Sequence, residues 1–376
     1  MSARAGISSW PQGVALLVAL AGLILCALGA LTDVAAFFRS YVVALMAFWQ
    51  LPLGCLALLI ASHLAGGRWS LVIGDALEAG ARTLPLMAIL FVPVLFNLDA
   101  IYPWARPDYL AEHETVARKA AYLAPGFFTL RSLVYLAVWL GLCFALTEAS
   151  RPFAVRPRRR AIAAIGAILY AASATLASFD WLMSLDPRYG STIFGMLAMS
   201  GQAVGAFSLA VLVTLHVSEQ DRRLVHLREE RLVGLGSLLL GLVLLWVYFA
   251  FIQLLIGWSG NLPPDAAWYL ARIAGPWRLV VWLLVVGHFA LPVAILLSSR
   301  ARRSWRVVMT LAGLVLVMRI LDVLWLAVPA FEDAPPVWLV AGALAAIGGL
   351  WLCAFLWLIA DRVSWVAGVM REASHG

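Results

Sequence analysis

The chain has 376 residues, of which 64% are hydrophobic and only 12% charged, where a soluble domain carries about 25% charged residues. Such a sequence cannot hide its apolar surface by folding into a globule in water, so a bilayer must be its solvent, and a soluble enzyme is excluded. The formal charge of +7 does not imply nucleic-acid binding, because the sequence has no soluble basic face. It reads instead as arginines retained on one side of a membrane.

A spanning helix needs about 20 mostly apolar residues. Ten such runs fall at 13–32, 40–64, 82–98, 127–148, 161–182, 190–217, 233–257, 277–299, 307–330 and 337–360. The first is too long for a signal-peptide core and has no small-residue cleavage site after it, so it is expected to be retained. The third is the shortest and is interrupted by Pro85 and Pro93, which membrane helices tolerate where neighbours satisfy the freed carbonyls. The fold class expected is therefore all-α and polytopic.

Orientation follows from the basic residues. Eighteen Lys/Arg lie in the N-terminus, the 65–81 loop with Arg82, the segments 149–160, 218–232 and 300–306, and the C-terminus, against six in the other loops. The rule puts both termini in the cytoplasm. The two longest loops, 99–126 and 258–276, then face outward and are rich in Trp, Tyr and Pro. The mixed-charge segment 218–232 reads as a solvated connector.

A weak internal repeat is visible. Asp180 precedes Pro187 by seven residues, as Asp322 precedes Pro329. Arg131 and Arg278 each lie near the outer end of the preceding span. The pattern suggests a flanking helix in 1–39, four-helix units in 40–189 and 190–336, and a second flanking helix with a tail in 337–376.

Ionisable groups inside hydrocarbon cost about 2.5–3.5 kcal/mol each on insertion scales, so they mark pairing or function. Arg319 and Asp322, three residues apart, share a helix face and form either a proton relay or a structural ion pair. Asp180 follows Tyr170, Ser173, Thr175 and Ser178 on its helix; hydroxyls both donate and accept, so this is either a proton path or polar helix packing. His288 lies mid-span; a histidine can pass protons, but a hydrogen-bonded interior histidine is the leading reading. Haem ligation is disfavoured because His63, His113, His216, His226 and His375 all lie near helix ends or in loops. Gln202, Gln253, Trp258 and Arg131 are the candidates for contact with a quinol, although ordinary interhelical hydrogen bonding is the leading explanation for both glutamines. Cys26, Cys55, Cys143 and Cys353 lie in apolar runs without a CxxC, so disulfides, zinc and cysteine-bound clusters are not expected. The sequence contains no phosphate-binding loop, nucleophile elbow or HExxH motif, and no metal or covalently bound cofactor is expected.

Three stretches carry a resemblance: ASFDWLMSLDPRYGSTIFGMLAMSGQAVGAFSLAVL (177–212), FIQLLIGWSGNLPPDAAWYLARI (251–273), and YPWARPD (102–108) followed by YLAPGFFTLRSLVYLAVW (122–139). Together they resemble the second, smaller polysulfide-reductase-like (NrfD-like) integral subunit of alternative complex III, a bacterial quinol:cytochrome c oxidoreductase of the respiratory chain. The resemblance covers residues 40–330. It implies ten helices as two four-helix bundles plus two flanking helices, with no haem or cluster in the subunit itself. It also implies a sister NrfD-like membrane subunit, better suited to the quinol pocket, an extracytoplasmic iron–sulfur/molybdopterin-like subunit and c-type haem subunits as partners. The subunit resembled is a proton-conducting or structural partner within such a complex. By motif match, Asp180, Trp181, Asp186, Pro187 and Ser191 belong to the family string, as do Trp258, Asn261 and Trp268 in the outer loop. One departure is that family members often have histidines just before the YPWA string, where this chain has Asn97, Leu98 and Asp99. The chain is also short for the family. A secondary transporter and a purely structural anchor for redox subunits are the competing readings.

Overall fold

The computed structural model describes residues 10–67, 69–147, 157–220 and 229–375. Among them are ten helices long and apolar enough to cross a membrane, and no strand. They are α1 (Pro11–Thr32), α2 (Val34–Ala65), α3 (Ser70–Leu95), α4 (Pro125–Leu146), α5 (Arg159–Leu185), α6 (Phe194–Val217), α7 (Glu230–Gly260), α8 (Trp277–Leu296), α9 (Trp305–Ala330) and α10 (Val337–Ala360). The protein is an all-α, multi-pass membrane protein. In such a protein each backbone polar group inside the bilayer must be satisfied within its own helix or by a neighbour.

Helix α2 is central: 89% of its most apolar stretch is buried, against 22% for α8. Asp33 starts it by accepting the Ala36 N–H at 2.9 Å, which meets one of the orphan donors of a helix N-terminus. Gly66 ends it at φ 64°, a left-handed cap that glycine adopts without strain. Around α2 pack α3, α4, α5, α6 and α10, and α6 in turn packs on α7 and α9. Helix α1 lies along α10, where Gly22 faces the α10 backbone at Gly342 and Ala346 and Gly349 faces α1 at Ala15 and Ala19. A Cβ at either glycine would overlap that backbone, so glycine is what permits the approach, the usual device of membrane helices.

The third span corrects the sequence reading. It starts at Ser70, not at residue 82, and breaks into Ser70–Ala81 and Leu84–Leu95. Pro85 has no N–H to continue the ladder and its ring excludes the carbonyl four residues back, so the helix restarts with proline in its first turn. The stretch 65–81 is therefore largely buried helix rather than loop, and Arg82 lies inside the span. Asp75 and Glu78 had given this stretch its loop-like character. The two longest loops contain helix of their own. Loop 99–126 folds into short helical turns, and loop 258–276 holds the helix Pro263–Ile273. The arginine-rich 148–156, the segment 221–228 with His226, and the N-terminal residues lie outside the described residues.

Helix α8 contains a π-helical stretch, Leu284–Ala290, immediately before Pro292. The carbonyl that Pro292 would meet in a regular α-helix belongs to His288, and widening the turn relieves that conflict.

Candidate functional site

Two buried aspartates organise the interior. Asp180, fully buried on α5, receives a two-pronged contact from Arg131 of α4: Nε to Oδ2 at 2.8 Å and Nη2 to Oδ1 at 2.9 Å. The Tyr135 hydroxyl adds a third bond, to Oδ2, at 2.9 Å. The third guanidinium nitrogen donates to the Tyr122 carbonyl at 2.7 Å, and the rings of Tyr122 and Phe127 lie 3.8 and 4.4 Å from the guanidinium carbon. This geometry satisfies both charges, and a paired, planar contact is the strongest form of such a bond.

The turn after Asp180 gathers the residues of all three quoted stretches. The Trp181 indole N–H donates to Ser132 at 2.9 Å, and the Tyr102 hydroxyl donates to the Trp181 carbonyl at 3.1 Å. Trp104 donates to Ser184 at 3.1 Å, and Lys119 to the Pro187 carbonyl at 3.0 Å. Asp186 accepts from Arg188 at 3.1 Å, the Ser191 N–H reaches the Met183 sulfur, and Tyr189 stacks on Trp268 at 4.5 Å. Asn261 adopts φ 48° just past the end of α7, a left-handed cap that asparagine tolerates better than most residues.

Beside Trp268, Arg272 is buried with no carboxylate in ion-pair range among the described residues. It donates to the carbonyls of Trp268 at 3.0 Å and Leu326 at 2.7 Å, and its guanidinium lies 3.6 Å from the Trp268 ring. Burial pulls its pKa down to about 9, only partly offset by Asp186. Its position at the C-terminal ends of two helices, α9 and Pro263–Ile273, supplies the compensating negative dipole.

The second carboxylate is set differently. Asp322 pairs with Arg319, three residues away on α9. The same guanidinium donates to the Gln50 Oε1 of α2 from Nε at 3.2 Å and from Nη2 at 3.0 Å. Gln50 in turn donates to the Ala47 carbonyl at 2.9 Å. A Cβ at Gly201 of α6 would overlap the guanidinium, so glycine is what admits it. These groups open onto a cavity of about 60 Å³ between α2, α4, α5, α6 and α9, whose polar lining is Gln50, Ser178, Gln202, Arg319 and Asp322. Trp49, Trp139 and Trp181 close its other wall. The space is large enough for a few water molecules and far below the roughly 300–1,000 Å³ of a site for a drug-sized ligand. His288 is fully buried nearby, its ring 3.9 Å from that of Trp246, which also lies 5.9 Å from Arg319 and beside Asp322. Both His288 ring nitrogens lack a hydrogen-bond partner among the described residues.

Several expected relations are not realised. The hydroxyls upstream of Asp180 do not form a line to it. Ser173 takes the Trp139 N–H at 2.8 Å and donates to the Leu169 carbonyl, Ser178 donates to the Thr175 carbonyl, and Tyr170 donates to Gln202 at 2.6 Å. In a helix the nearest acceptor for a serine hydroxyl is its own backbone, and here it wins. The four candidates for quinol contact do not converge either. Arg131 is occupied by Asp180, Gln202 by Tyr170, Gln253 is buried on α7 beside Tyr269, and Trp258 is 76% exposed. The repeat does not extend to the ion pairs: Arg131 meets Asp180 across two helices, whereas Asp322 finds its arginine on its own helix and Arg278 is exposed.

Sequence reasoning missed Gln50, Gly201, Tyr135 and Glu78. Glu78 is fully buried on α3, 3.7 Å from Arg159 at the start of α5. Gln50 was accessible to the rule that singled out Gln202, a lone amide inside an apolar run. Nothing in the sequence marks Gly201 as an arginine's seat. Neither a protein-family model nor a curated protein sequence matches the chain.

Proposed function

We propose that this protein is an integral subunit of a quinol-oxidising electron-transfer complex, similar to the second NrfD-like subunit of alternative complex III, and that its own task is proton transfer at Asp322. It sits in a bacterial inner membrane with both termini cytoplasmic. Its partners are a sister NrfD-like subunit that holds the quinol, an extracytoplasmic iron–sulfur/molybdopterin-like subunit and c-type haem subunits. The observation that carries the reading is the Arg319–Asp322–Gln50 cluster at one edge of a small, mostly apolar cavity at the centre of the helices. A carboxylate with a single charged partner, beside space for water, can exchange a proton with that water; one locked by three donors cannot do so without breaking them. The quoted motif strings and their mutual contacts support the assignment to a redox complex. The volume of the central cavity favours water over quinol in it.

A structural-anchor role is favoured by a different observation, the complete satisfaction of Asp180. Both readings predict co-purification with iron–sulfur and c-type haem subunits from membranes. They part at Asp322→Asn, which on our reading abolishes proton release coupled to quinol oxidation while the complex still assembles. A chain that purifies alone, and whose Asp322→Asn variant loses solute uptake in proteoliposomes, would instead be a transporter.

A further inference from the structure

Two elements on the outer-loop side form a trough that faces away from the helix core. The helix Pro263–Ile273 buries Trp268 and Arg272 on one face and turns Leu270, 60% exposed, to the other. Helix α8 starts just after it and exposes Leu279 and Trp282, the latter 61%. Between them lies a groove of about 540 Å³ lined by Leu270, Ile273, Ala274, Arg278, Val281 and Trp282. Five of these six are apolar and the sixth is a cation. Arg278 is exposed and has no carboxylate in ion-pair range among the described residues. It is the second residue of α8, the level at which a spanning helix leaves the headgroup zone, and a tryptophan four residues on suits that depth.

We propose that this groove binds an anionic glycerophospholipid, with its phosphate on Arg278 and an acyl chain along Val281 and Trp282. The charge pattern selects this occupant. A neutral ligand would leave a full positive charge uncompensated on an apolar wall, whereas a phosphate matches the guanidinium fork and neutralises it. The groove is large enough for a glycerol backbone and upper acyl chain, unlike the central cavity. The inference rests on the membrane-spanning fold and not on the redox assignment.

The test is native mass spectrometry of the full chain in neutral detergent, titrated with phosphatidylglycerol or phosphatidylcholine of identical acyl chains. Phosphatidylglycerol is expected to be retained roughly fivefold better, the size one basic side chain gives at a membrane surface. Arg278→Gln removes the preference, Arg278→Lys keeps most of it, and Val281→Trp, which fills the trough, lowers retention of both lipids. All three variants keep the wild-type thermal midpoint, since the groove contributes nothing to the helix core. Equal retention of the two lipids by the wild type, or an undiminished preference in Arg278→Gln, would overturn the proposal. So would displacement by excess inorganic phosphate as effective as that by the lipid, which would mark a bare anion site. Loss of the lipid only when the chain is isolated with its membrane partners would overturn it too, since a neighbouring subunit would then own the groove.

Discussion

The two buried aspartates carry the same formal charge and solve the problem of burial in opposite ways. Asp180 has an arginine from another helix, a tyrosine hydroxyl and a wall of aromatic rings, with each guanidinium nitrogen and both carboxylate oxygens engaged. Asp322 has an arginine on its own helix, which it shares with Gln50, and it faces a cavity. A saturated pair fixes α4 against α5 and cannot change charge cheaply. An unsaturated pair beside water can. Burial alone therefore does not distinguish a structural carboxylate from a working one; the count of committed donors does.

Four single substitutions and one double variant break or sharpen this contrast. The largest effect is expected for Asp180→Ala, which leaves Arg131 buried without its partner; loss of about 3–5 kcal/mol should appear as a lower thermal midpoint in detergent. The double variant Arg131→Met, Asp180→Leu should recover most of that loss, because it removes both charges together. Next is Gly201→Ala, whose methyl group displaces the Arg319 guanidinium, for about 1–3 kcal/mol and a disturbed Asp322 site with the Asp180 site intact. Tyr135→Phe should cost about 1 kcal/mol through one lost hydrogen bond to Asp180, read from the same melting curves. The smallest effect on stability belongs to His288→Phe, which fills a similar volume and removes two nitrogens that have no partner, so a change below about 1 kcal/mol is expected. A loss as large as that of Asp180→Ala would mean that His288 carries a bond essential to the fold.

Much of the architecture was legible in the sequence because the bilayer imposes a length and a composition on each helix. Nine of the ten spans fall close to their apolar runs. The exception, α3, failed because Asp75 and Glu78 lowered the apparent hydropathy of the helix, although Glu78 is buried, with Arg159 within reach. Charged positions such as Arg131, Asp180, Arg319 and Asp322 could be named from their rarity. The pairing of Arg319 with Asp322 followed from their three-residue spacing, whereas that of Arg131 with Asp180 across two helices could not be named. The seven-residue spacing to proline suggested equivalent aspartates, yet whether an arginine arrives from a neighbouring helix or from one turn earlier depends on which faces pack together. Helices that are apolar all round give no periodic signal of that. Serine hydroxyls were over-read for the same reason: spacing places Ser173 and Asp180 on one stripe, but each serine bonds its own backbone first.

The central claim is that protons exchange at Asp322 and not at Asp180. Infrared difference spectra between the oxidised and quinol-reduced complex, recorded in H2O and D2O, test it most directly. The account predicts a deuterium-sensitive carboxylic-acid band that vanishes in Asp322→Asn and persists in a variant where Arg131 and Asp180 are replaced together. A band that survives Asp322→Asn and disappears with the Asp180 pair would contradict it.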